Sequence, residues 1–187
     1  LVHTAPGDLL SYVNLVHHLD PGQPCYGFQS AGLGNPDRCA PTIRAMAEHY
    51  TRLLAGFHPS GPLLLAGWCY GGIVAAEMAT LWWGRGRPAA LLAVIDAAVN
   101  RPGGRLWAFH ARQAALLRAM GWRGARTLLL RRLEQRRRAP ETGIAEVLEV
   151  RVTHGLLANR EQVYRQNAAA YDRHRVRPYP GTVTVFR

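Results

Sequence analysis

Residues 63–78 read LLLAGWCYGGIVAAEM. Leu63–Ala66 is a short, continuous apolar run suited to a strand covered on both faces, and Gly71–Trp83 reads as an Ala-rich helix. Between them stands G-x-C-x-G, the pattern of a nucleophile elbow, with Cys69 where serine is usual. A side chain held at so sharp a strand-to-helix turn has strained backbone angles. Gly67 and Gly71 are the residues that let neighbouring backbone pass without a Cβ clash. The turn places Cys69 at a helix N-terminus, where the helix dipole and free N–H groups are expected to favour a thiolate and to hold an oxyanion. The plain alternative is a buried structural cysteine in a glycine-rich turn.

The rest of the first hundred residues alternates in the same way. Leu1–His3 reads as the end of a buried strand running into a Pro6-Gly7 turn, Leu9–Leu19 as a helix stopped by Asp20-Pro21-Gly22, and Cys25–Gln29 as a short strand. Thr42 is placed to cap a helix over Ile43–Phe57 with Met46, Tyr50, Leu53 and Leu54 on its apolar face. Ala89–Ile95 is a further apolar strand. Apolar strands alternating with helices predict an α/β fold, a mostly parallel sheet with helices on both faces. After Asp96 the pattern is helical: Leu106–Met120, Ala125–Arg138, Ile144–Leu157 and Glu161–Arg173, before a return to β at Thr182–Phe186. The chain 1–187 therefore reads as one domain: core elements over 1–100, an inserted helical lid over 101–177 and a returning core strand over 178–187.

Composition narrows the classes. The net charge of +11 rests entirely on arginine, since the chain has no lysine. A basic surface attracts nucleic acid, acidic membranes and acidic proteins alike. The cluster Arg131, Arg132, Arg136, Arg137 and Arg138 surrounds Leu128–Leu130 and Leu133 and lacks the interleaved aromatics of a base-stacking platform. It reads as the solvated face of an amphipathic helix, or as a surface for an acidic carrier protein or an anionic acyl chain. No nucleic-acid partner is expected. Trp82, Trp83, Trp107 and Trp122 read as packing residues. No apolar stretch reaches the ~18–20 residues of a membrane span, so no membrane partner is expected either. Cys25, Cys39 and Cys69 are too few and too irregular for a disulfide framework or a metal site. An odd cysteine count without a secretory leader fits a reducing cytoplasm. The chain opens at Leu1 and closes at Arg187 inside a β-like run, so both ends are expected to be cuts in a longer polypeptide.

The supporting groups follow from the elbow. An oxyanion hole here takes one N–H from the residue after the nucleophile, Tyr70, and another from the first strand–helix loop. In His3-Thr4-Ala5-Pro6-Gly7, Pro6 has no N–H, so Ala5 is the candidate, though the loop can equally be a plain turn. Asp96 ends the strand that follows the elbow helix. A carboxylate there can orient an imidazole above the sheet or merely cap a following helix.

These stretches, with Tyr26-Gly27-Phe28-Gln29, Leu92–Asp96 and Arg173–Phe186, resemble the type I thioesterase domain of nonribosomal peptide synthetases, in the α/β-hydrolase superfamily. The resemblance implies an α/β-hydrolase fold, a Cys69–His–Asp96 triad and a lid over an acyl channel. It implies no cofactor of the domain's own and no metal. The substrate it implies is a peptidyl thioester on the 4'-phosphopantetheine of an upstream carrier domain, expected on the same polypeptide. Relatives with a natural cysteine nucleophile include enzymes that close β-lactam or β-lactone rings, so release by strained cyclisation is expected. Hydrolytic release, a stand-alone editing thioesterase and a noncatalytic binding domain are the rivals. An engineered serine replacement would also explain Cys69. The family's general-base histidine follows the last strand, so it is expected beyond Arg187; His110, His154 and His174 read as surface or packing residues of the lid.

Overall fold

The computed structural model describes residues 1–97 and 159–186. Its centre is a parallel sheet of strands β1 (Leu64–Trp68), β2 (Leu91–Ile95) and β3 (Thr184–Phe186), in that order, with Ala66 opposite Ala93 and Ala93 opposite Thr184. Val2 extends the layer past β1 through parallel bridges to Gly67 on one side and Phe28 on the other. The Val2 N–H donates to Ala66 O (3.0 Å), and the His3 N–H donates to Phe28 O (3.1 Å). The strand expected over Cys25–Gln29 thus pairs at Phe28 alone. Its neighbour is too short to support a longer ladder, because Thr4 already turns the chain, its carbonyl accepting from the Gly7 N–H (2.9 Å).

The helices form for legible reasons. A 3-10 turn over Leu10–Tyr12 runs into helix α1 (Val13–His17), shorter than the Leu9–Leu19 expected. Downstream, the Gly22 N–H donates to Asp20 Oδ1 (2.7 Å) in the Asp-Pro-Gly turn. Helix α2 (Ile43–Phe57) starts where Thr42 predicts, its hydroxyl accepting from the Ala45 N–H (3.0 Å), a cap worth about 1 kcal/mol. Its buried face is Ile43, Met46, Ala47, Tyr50 and Thr51, a helical repeat. Leu53, expected on that face, is instead half exposed, since the seam against the core is complete without it. Helix α3 (Tyr70–Trp83) is buried almost all round, as a helix between the sheet and α2 must be.

Helix α4 (Arg160–Arg173) buries Val163, Asn167, Ala170 and Tyr171. The sequence places these residues in the inserted lid. In the structure they belong to the same compact unit as the sheet, pinned to it at both ends of the helix. Arg160 pairs with Asp8, Asn159 Nδ2 donates to Leu33 O (3.0 Å), and Arg173 Nη2 donates to Pro41 O (3.2 Å). The expected helices Leu106–Met120, Ala125–Arg138 and Ile144–Leu157, with the arginine cluster, Trp107, Trp122, His110 and His154, lie outside the described residues. Of the tryptophans read as packing residues that the structure describes, Trp82 is core and Trp83 is partly exposed. No helix among the described residues is long and apolar enough to cross a membrane.

Candidate active site

Cys69 sits between the end of β1 and the start of α3 with φ 53° and ψ −119°. Among the described residues, the only other non-glycine with positive φ is Asp96 (φ 44°). The two strained positions are therefore the two that the sequence singles out as nucleophile and acid, and such strain persists only where the surroundings over-determine it. The surroundings do so here. The Cys69 N–H donates to Ile95 O (2.8 Å), tying the elbow to the end of β2, and the Asp96 N–H donates to Phe186 O (2.8 Å), tying that end to β3. A Cβ on Gly67 would collide with the backbone of Gly71 and Gly72, and one on Gly71 with the carbonyls of Val2 and His3. Both positions thus require glycine for close backbone approach.

The electrostatics correct one expectation. The Tyr70 N–H hydrogen-bonds the Cys69 sulfur and favours its thiolate, as a helix N-terminus should. Burial acts more strongly, however, and the negative charge of Asp96 adds to it, so the Cys69 pKa is raised. Cys69 therefore rests as a thiol. Asp96 itself is exposed at the end of β2, near enough for its charge to be felt at the sulfur. Of the described histidines, His3 and His174 have partners other than Cys69 and Asp96, and His17, His18, His49 and His58 lie on α1, α2 or their ends.

Three groups around the elbow escape the sequence reading. Tyr12 Oη donates to Val2 O (2.7 Å) and accepts from the Trp68 N–H (2.6 Å), and burial pushes its pKa up to about 12. Tyr164 and Tyr171 on α4 interact electrostatically with Cys69, which places that helix near the elbow. Between them Asn167, fully buried, donates from Nδ2 to Ala5 O (2.8 Å) and accepts at Oδ1 from Tyr70 Oη (3.3 Å). Only the helical spacing of Tyr164, Asn167 and Tyr171 hints at this shared face. Ala5 is itself buried, and its N–H has no hydrogen-bond partner among the described residues.

His3 lies under the same loop. Its Nδ1 is 2.7 Å from Thr4 O, so that nitrogen carries the proton, and Nε2 accepts from Tyr50 Oη (2.8 Å), while the ring stacks on Tyr70. Burial lowers its pKa to about 4, against a weaker upward pull from the Thr4 carbonyl and Asp8. The unfolded chain, with His3 near 6.5, then binds the proton more readily than the folded one. Stability from this group is complete above about pH 6.5 and falls by about 2 kcal/mol at pH 5 and about 3 kcal/mol at pH 4. Denaturant titrations at pH 7, 5 and 4 are expected to show that slope, and His3→Gln is expected to flatten it.

A parallel sheet flanked by helices, with a cysteine on a strained strand-to-helix turn and a carboxylate after the next strand, is the architecture of the α/β-hydrolase fold. Residues 1–155 match the family model of the thioesterase domain, and the chain belongs to that family. Among curated relatives it is 37% identical over 99 residues to malpibaldin synthetase of Mortierella alpina, covering 53% of this chain. Over 99 residues it is 34% identical to the dimodular nonribosomal peptide synthase of Bacillus subtilis. The chain spans only 2% and 4% of the length of those relatives, so its counterpart in each is one small part of a long polypeptide. Among solved structures, the NocB thioesterase domain in covalent complex with a fluorophosphonate nocardicin G analogue superposes with a TM-score of 0.65 at 22% identity, over 98% of this chain and 68% of that one. RedJ thioesterase of prodiginine biosynthesis in Streptomyces coelicolor gives 0.61 at 19% identity, over 98% and 67%. At these identities the likeness carries the fold alone.

Proposed function

We propose that this domain releases a peptidyl chain from a phosphopantetheinyl carrier through a covalent acyl-Cys69 intermediate. The observation that carries this reading is the elbow itself: a sulfur on a positive-φ residue at a helix N-terminus, hydrogen-bonded by the next N–H and beside a carboxylate. A base removes the Cys69 proton as Sγ attacks the carrier-bound thioester carbonyl. The resulting oxyanion lies between the N–H groups of Tyr70 and Ala5. Collapse breaks the carbon–sulfur bond to pantetheine, whose thiolate takes the proton back from the base. In this reading the base is a histidine following β3, oriented by Asp96. The raised pKa of Cys69 supports the need for it.

In the second half-reaction an internal amine or hydroxyl of the acyl chain gives its proton to the base and attacks the acyl-enzyme carbonyl, Cys69 leaves as thiolate and takes that proton from the base, and a lactam or lactone is released. Exchange of one thioester for another conserves activation, whereas transfer to a serine would convert it to a more stable oxoester. That chemistry favours closure of a strained four-membered ring over simple hydrolysis. The carrier domain stands upstream on the same polypeptide, as the synthetase relatives suggest. The test is to treat the full-length protein with an acyl-pantetheine thioester and measure intact mass. A stable or transient acyl adduct mapped to Cys69 is expected. No adduct would make the domain a binding module, and a linear acid as sole product would replace cyclisation by hydrolysis.

A further inference from the structure

We propose that Asn167 is a positioning residue that holds the two halves of the oxyanion hole in register from helix α4. The inference rests on the acyl-Cys69 reading above, because it concerns the geometry of the hole that reading uses. The two N–H groups of that hole come from chain segments with no covalent reason to stay aligned: Ala5 from the loop after Val2, Tyr70 from the first turn of α3. Asn167 touches both. Its Nδ2 donates to Ala5 O at 2.8 Å, and its Oδ1 accepts from Tyr70 Oη at 3.3 Å. The orientation of the amide follows from its partners, since a carbonyl can only accept and the phenol has a proton to give.

Asparagine suits the position in a way its neighbours in side-chain volume do not. Leucine would leave the Ala5 carbonyl without a partner and the Tyr70 phenol with only the weakly accepting Met46 sulfur at 3.7 Å. Aspartate would keep the acceptor for Tyr70 but set a carboxylate against the Ala5 carbonyl in a site with no exposure. The Ala5 carbonyl precedes Pro6, whose ring restricts the loop further, so fixing that carbonyl fixes where the Ala5 N–H aims. On the other side, the Tyr70 ring stacks on His3 (6.0 Å between centroids). The hydrogen bond from its Oη to Asn167 anchors the far end of the residue whose N–H reaches the sulfur.

The experiment compares two reactions of the same sulfur in the full-length protein. Acylation by an acyl-pantetheine thioester passes through an oxyanion; alkylation by iodoacetamide displaces iodide and does not. Asn167→Ala is expected to lower kcat for the thioester by roughly 10- to 100-fold, short of the loss of a whole donor, with KM changed less than about threefold and the alkylation rate unchanged. Tyr70→Phe, which removes one hydroxyl and keeps the N–H, is expected to lower kcat in the same sense by a smaller factor. The two changes combined are expected to fall short of the product of their separate effects. Should Asn167→Ala not fold, the isosteric Asn167→Asp and Tyr70→Phe carry the same expectation. The proposal is overturned if kcat is unchanged, if KM alone moves, or if alkylation and acylation slow together. If the unaltered protein is never acylated at Cys69, the parent reading fails instead, and that result is distinct from an Asn167 variant that acylates as well as the original.

Discussion

Cys69→Ala is expected to abolish adduct formation and to reduce turnover of a carrier-bound thioester by about 10⁴-fold or more, the scale seen when a nucleophile is removed and only binding and oxyanion contacts remain. Little of that loss is structural. The elbow is held by the Cys69 N–H, by Gly67 and by Gly71, none of which the substitution alters. The more telling variant is Cys69→Ser. Serine fits the turn, and the Tyr70 N–H remains for an oxyanion. The acyl-enzyme becomes an oxoester, a poorer electrophile for a ring-closing amine or hydroxyl. Product analysis is expected to show ring-closed product reduced at least about tenfold, with acyl-enzyme or linear acid in its place. Undiminished cyclic product from Cys69→Ser would overturn the argument from the sulfur.

Joint removal of Arg44 and Arg177 is expected to destabilise the domain by about 3 kcal/mol, with Glu77 as the cause. The Glu77 side chain, two turns along α3 from Cys69, is 2% exposed yet carries a carboxylate. Arg44 of α2 reaches Oε1 at 2.8 Å, Arg177 reaches the same oxygen at 2.9 Å, and His174 lies 3.9 Å from Oε2. Both arginines are partly exposed, so either alone rehydrates readily when its partner is lost. The buried carboxylate does not. Single substitutions to alanine are therefore expected to cost about 1 kcal/mol each, because the remaining arginine still compensates the charge. The double change leaves Glu77 with His174 alone, whose pKa burial lowers against the pull of Glu77. Adding Glu77→Gln to the double variant is expected to recover part of the loss in a denaturant titration, since the stranded charge is gone. Failure to recover any of it would assign the cost to lost packing of the arginine stems.

The boundaries that could be read without coordinates are those with local causes. The start of α2 follows from Thr42, its length from the breaker Pro59-Ser60-Gly61-Pro62, and the elbow from two glycines whose purpose is steric. Asp96 was visible as the end of an apolar run. Asn167 was not, because Arg160–Arg173 is polar enough to pass for a solvated helix, and what buries Asn167 is a carbonyl 162 residues away in sequence. Nothing in the sequence marks His3 beyond its place in the loop; the structure gives it a framework role under Tyr70. The thiolate expectation erred in weighing a helix N-terminus without the burial that opposes it. In each case the deciding quantity is non-local: which surface a residue ends up facing.

The hydrogen bond from the Asp96 N–H to Phe186 O has a consequence for biogenesis. Those residues are about ninety positions apart, so the strained turn at Asp96 gains its restraint from β3 only after the whole chain between them has left the ribosome. Cys69, Gly67 and Gly71 can meet much earlier. A nascent domain can therefore form the turn that carries its thiol well before β3 restrains the turn at Asp96.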